Sequence, residues 1–230
     1  MEDGVDTTTF GGDDGFARMV SETLANPKSW THNPQFAFVR VDDSAGVQPD
    51  FRVSLTSPMT VREGCGYDIQ LEASCYNPAF EGQPRVFINE ARWVRGAVPF
   101  QGDIGSYRQY VINHEVGHAI GYPRHEQCTV SGELAPIMMQ QTFSTNNNDA
   151  ARFDPGTVTP DGKTCRFNPG PIRSPDRAGS DGASLLLEPV PVEMGLARQP
   201  RRTRCPHRCR RWSSQRLNSP ATRSRGTAVT

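Results

Sequence analysis

No run of eighteen apolar residues occurs in the 230-residue sequence, so no segment of it reads as a membrane-spanning helix. Its first residues, Met1-Glu-Asp-Gly-Val-Asp6, have neither the basic start nor the apolar stretch of a signal peptide. As written, nothing in the chain is expected to export or anchor it. There is no C-x-x-C pair, which removes the usual cysteine-based metal site. Net charge is missing too, since 25 Lys+Arg balance 25 Asp+Glu, but the balance conceals two unlike parts. Residues 1–170 carry 13 Lys+Arg against 21 Asp+Glu, whereas residues 171–230 carry 12 Arg against 4 Asp+Glu. The second part is short of apolar residues. Leu185-Leu-Leu187 is its one apolar cluster among seven prolines, too little to offset the entropy of ordering such a segment. We therefore expect one domain over residues 1–170 and a disordered Arg/Pro/Ser-rich tail over 171–230, a composition that out-of-frame coding would also produce. No nucleic-acid partner is expected, and Arg201 to Arg211 is read as part of that tail.

The cysteines that are present point the other way from the missing export signal. Cys65, Cys75, Cys128 and Cys165 stand in Gly-, Pro- and Asn-containing stretches and look like disulfide halves. Four cysteines allow three connectivities. We favour the sequence-local pairs Cys65–Cys75 and Cys128–Cys165, each of which would staple a loop, and which imply an oxidising compartment. Cys205 and Cys209, with His207 between them, are read as incidental.

Along the chain, Phe16, Met19, Val20 and Leu24 recur at helical spacing, and Asn26-Pro27 closes that helix. Phe36–Val41, Phe51–Leu55 and Arg85–Ala91 read as strands, followed by Trp93 packing on the core. Between Pro58 and Pro84 we expect a stapled loop region with room for short strands. Ser106-Tyr-Arg-Gln109 fits a capping box, so a helix starts between Asp103 and Ser106 and runs to Ile120. The stretch from Cys128 to Cys165 is loop-rich, with Ala135–Thr142 as its apolar segment.

That helix carries the chemistry. In Val111-Ile-Asn-His-Glu-Val-Gly-His-Ala-Ile-Gly-Tyr-Pro-Arg-His125, His114 and His118 are four residues apart and present two imidazoles to one point. Glu115 can reach a water at that point without ligating a metal, the general-base arrangement of zinc peptidases. Gly121 can break the helix in a left-handed conformation and let His125 return as a third ligand. Three of the five histidines fall within the twelve residues 114–125. A surface helix with solvated His and Glu would not cluster them so.

With the helix, the trailing histidine and a downstream methionine in hand, residues 1–170 resemble a little-characterised actinobacterial family of metzincin-like zinc peptidases. The matching words are Tyr107–His118, Phe51–Leu55, Val86–Trp93, Pro136–Thr142 and Asn168–Pro171. The resemblance implies an α+β fold, a small zincin-like domain with a twisted sheet and an active-site helix. It implies Zn2+ held by His114, His118 and His125, with Glu115 catalytic and Met138 taking the place of the methionine turn, Met139 being the second candidate. It also implies secretion or a place at the cell surface, and a peptide or protein substrate. We expect a monomer. The sequence departs from the family in two respects: Tyr122-Pro-Arg124 put three residues between Gly121 and His125, where the family has two, and the membrane-spanning or signal segment and extended stretch that family members carry ahead of Glu2-Asp-Gly are not in it, so the resemblance implies that the 1–170 domain is N-terminally incomplete. The expected activity is endopeptidase hydrolysis, and the alternative is a catalytically inactive, zinc-stabilised binding or structural module of the cell envelope.

Overall fold

The computed structural model describes residues 2–8, 11–172 and 209–214. A twisted five-stranded sheet forms its centre, in the order β1 (Ala37–Arg40), β5 (Cys209–Ser213), β2 (Phe51–Thr56), β4 (Gln83–Asn89), β3 (Cys75–Phe80). β1, β5, β2 and β4 run parallel; β3 is antiparallel to β4 and forms one edge. The β3–β4 turn places Glu81 and Gly82 at φ 49° and 78°. Two successive positive φ values are the geometry that tight hairpins need, and the second falls on glycine, which adopts it without strain.

β2 and β4 are central, and each is buried on both faces. Val86 and Ile88 join the main core with α1 (Gly12–Ala25) and α4 (Ile104–Ala119), while Phe87 points to the opposite face. There its ring lies against Gly64 of α2 (Pro58–Cys65), 2.6 Å from where a Cβ would stand. The alternation of a pleated strand thus separates the two layers. α1 buries Phe16, Val20 and Leu24, as its spacing predicts, and Asn26 is extended before Pro27. The helix begins four residues ahead of that pattern, where Asp13 and Asp14 favour its N-terminal dipole. Trp93 is buried edge-on against Phe16 at 5.0 Å.

Four expectations are corrected. The 58–84 region holds the short strand β3 that the expectation allowed for, but it also contains a helix, α2. Ser57 caps α2 by accepting from Thr60 N, with Pro58 in the first turn, a start signal local enough to be seen. The strand from Arg85 stops at Asn89, whose side chain accepts from Ala91 N and opens α3 (Glu90–Arg95). α4 is capped by Asp103, not by a Ser106–Gln109 box; Asp103 accepts from Ser106 N at 2.9 Å. Asp103 is as good a cap as serine, and Gly102 at φ 89° lets the chain turn in ahead of it.

The fourth correction concerns the C-terminal part. Cys209–Ser213 is a strand inside the sheet, and Trp212 is 1% exposed within the main core. The rest of the expected tail, 173–208 and 215–230, lies outside the described residues.

Both favoured disulfides are present. Cys65–Cys75 ties the end of α2 to the start of β3, and Cys128–Cys165 closes the loop-rich region after α4. That region holds one short helix, α5 (Asn147–Ala150), and a second small core of Cys128, Ala135, Met139, Ala150, Val158 and Cys165. Two disulfides are consistent with an extracellular protein. Among the described residues, no helix is long and apolar enough to cross a membrane.

Candidate metal site

α4 is buried along most of its length, from Tyr107 to Gly117, which makes it the central helix of the domain rather than a surface one. Its underside is fixed by cross-chain bonds. Asn113 accepts from Ser29 Oγ at 2.6 Å and donates to Pro169 O at 2.9 Å, and Trp30 Nε1 donates to Asn113 O at 2.8 Å. Gly117 allows the closest approach: a Cβ there would stand 2.5 Å from Met138 Sδ and 2.8 Å from Trp30 Cζ2. Met138 therefore packs directly beneath the helix that bears the histidines. Met139 faces the second core, and its carbonyl accepts from Tyr110 Oη. Gly117→Ala should displace both neighbours at a cost of roughly 1–3 kcal/mol. Thermal denaturation measures this, and a melting temperature equal to that of the unmodified protein would show that the contact can relax.

The helix ends in a motif that turns the chain back. Tyr122 N donates to Gly117 O at 3.0 Å and Gly121 N to His118 O at 3.3 Å, with Gly121 at φ 110°. This pairing is a Schellman cap, and glycine supplies the left-handed residue it needs. The turn also places the Tyr122 ring against Trp30, 4.7 Å between centroids. The longer turn through Tyr122-Pro-Arg124 still delivers His125 to the site.

His114, His118 and His125 come together, with ligand atoms all within 4.8 Å of one another. Each ring uses Nδ1 to donate elsewhere. His114 bonds Ile137 O at 2.9 Å, His118 bonds Tyr122 O at 2.8 Å, and His125 bonds Asp154 Oδ2 at 2.9 Å. Carbonyl and carboxylate oxygens only accept, so each Nδ1 carries a proton, which leaves Nε2 as the ligating atom of a neutral ring. His114 Nε2 is buried without a hydrogen-bond partner. An orphaned buried acceptor is costly unless something binds it, and a metal ion fits that place. Burial, and then the neighbouring His118 and His125, hold the His114 pKa well below the usual histidine range. Burial and then His125 bring that of His118 down to about 4. Both rings are therefore neutral, the form that ligates.

Glu115 is 2% exposed and lines the same cleft as His118 and His125. Burial pushes its carboxyl up to about 8. The cleft, about 610 Å³, is walled by Asp68 and Ala73 from the stapled loop, Tyr76 and Pro78 from edge strand β3, and Phe143 and Asp154 from the C-terminal loops. The sequence reading missed Asp154, the carbonyls of Ile137 and Tyr122, and this wall. No local signal could have found Asp154, which lies 29 residues beyond its partner His125.

The chain belongs to the family described as "Protein of unknown function (DUF3152)", whose model matches residues 1–173. No curated protein and no solved structure matches the chain.

Proposed function

We propose that this member of a family of unknown function is a zinc-dependent endopeptidase acting outside the cytoplasm or at the cell envelope. One observation carries the reading: three imidazoles, each with Nδ1 already satisfied, converge on a point in a cleft where a buried carboxylate stands beside them. Zinc bound there would supply a Lewis acid that polarises a carbonyl and acidifies a water. His114, His118 and His125 would hold the ion as neutral donors, leaving room for substrate. Glu115, adjacent to His114 and outside the ligand set, would be ionised beside a bound cation, which favours the charged form that burial alone disfavours, and would then accept a proton from the attacking water and pass it to the leaving amine. The cleft wall supports a peptide substrate. β3 is the edge strand beside the cleft among the described residues, so an extended chain could lie along it next to the histidines.

The test is hydrolysis by the full-length protein prepared under oxidising conditions and loaded with zinc. A denatured protein and a cell-wall peptide serve as substrates. We expect cleavage, its loss on chelation and its return with added zinc. Stoichiometric zinc binding with no cleavage of either would reject the peptidase reading and leave a zinc-stabilised binding module.

A further inference from the structure

We propose that Asp154 is a positioning residue for the metal site, holding His125 as the most electron-rich of the three ligands; this rests on the metal reading above. The three histidines are not held alike. His114 and His118 sit on α4, where backbone geometry already directs them, and their Nδ1 atoms donate to neutral carbonyls. His125 lies on no helix or strand and is the one whose Nδ1 meets a carboxylate, at 2.9 Å. A carboxylate on the far nitrogen orients the imidazole, fixes its tautomer and strengthens its donor atom.

The segment that carries Asp154 is built against the segment that carries His125. Thr159 N donates to Gln127 Oε1, Asn147 clasps both the N–H and the carbonyl of Cys128, and Cys128–Cys165 joins the two covalently. The turn bearing Asp154 is closed by Asp154 N to Ala150 O and by Val158 N to Asp154 O, both at 3.0 Å. Its carboxylate is 28% exposed and the facing ring 27%, so the pair is partly shielded from water and the contact is not a loose surface one. The three-residue turn before His125 does not itself dictate where the ring points. Asp154 does.

The experiment uses the full-length protein and its D154A and D154N variants, with H118A as a control that removes a ligand. Competition with a chelator of known affinity gives the zinc dissociation constant, and cobalt substitution gives the visible spectrum of the site. D154A should bind zinc about 10- to 100-fold more weakly, with altered cobalt bands. D154N retains an acceptor for His125 Nδ1 without the charge, so its loss should be smaller but measurable. The metal-free melting temperature of both variants should match that of the unmodified protein, separating positioning from folding. D154A with unmodified affinity and cobalt spectrum would overturn the proposal. Should D154A fail to fold, D154N decides, and equality with the unmodified protein overturns it. An unmodified protein that takes up no zinc removes the metal reading and this one together; one that binds zinc while the Asp154 variants bind equally removes this one alone.

Discussion

Glu115→Gln should retain stoichiometric zinc yet lose peptidase activity by two to four orders of magnitude, the usual contribution of a positioned general base. The amide fills the same space beside His114 but cannot take a proton. Because Glu115 is not one of the three converging ligands, zinc affinity by chelator competition should stay within a few-fold. The same variant has a second, opposite effect on the metal-free protein. Burial raises the folded-state Glu115 carboxyl to about 8, whereas an unfolded chain ionises it near 4.5. Between those values the folded protein holds a proton that the unfolded chain releases, so this group's contribution to stability falls as pH rises through the window. Gln has no such proton. Metal-free Glu115→Gln should therefore melt above the unmodified protein at pH 7, with the difference vanishing below about pH 4.5. Equal activity of the two proteins would reject the mechanism; equal melting temperatures at pH 7 would show that the carboxylate is solvated in the free site.

Trp212→Ala should be among the most destabilising single changes in the chain, although Trp212 lies in the stretch whose composition predicts no structure. β5 stands between β1 and β2, and β1 has no other strand partner among the described residues. Val41 N donates to Trp212 O at 2.9 Å and Asp50 N to Arg211 O at 2.8 Å. Arg211 N donates in turn to the Asp50 carboxylate at 2.6 Å, and Arg52 reaches Ser213 Oγ at 2.9 Å. Truncating a buried tryptophan costs about 3–5 kcal/mol. For a domain of this size that corresponds to roughly 6–20 °C in melting temperature. Removing 173–230 altogether should cost at least as much, because it opens the sheet as well as the core. Calorimetry of the full-length protein, Trp212→Ala and the truncated chain measures both, and an unchanged melting temperature in either would show that β5 does not occupy the sheet in solution.

What could be read directly was what is local. The four-residue spacing of His114 and His118, the apolar period of α1, the alternation in β1 and β2 and the break at Gly121 each depend on a few neighbouring residues, whose φ/ψ preferences and burial operate within a turn or a strand. The disulfide pairs could be favoured because their partners are near in sequence. Capping was read less well: Asp103 and Ser106 are both good caps, and their residue types alone do not select between them. Tertiary structure alone decided that β3 is the edge beside the cleft, that Asp154 faces His125, and that a strand from the Arg-rich end enters the sheet between β1 and β2. The reason is the same in each case. A hydrogen bond between Asp154 and His125, or between Trp212 and Val41, joins residues whose separation in the chain leaves no period, spacing or propensity to mark it. Composition averaged over the segment after 170 counted few apolar residues and so predicted no order, but one tryptophan in an extended pentapeptide is enough when a sheet already offers partners on both sides.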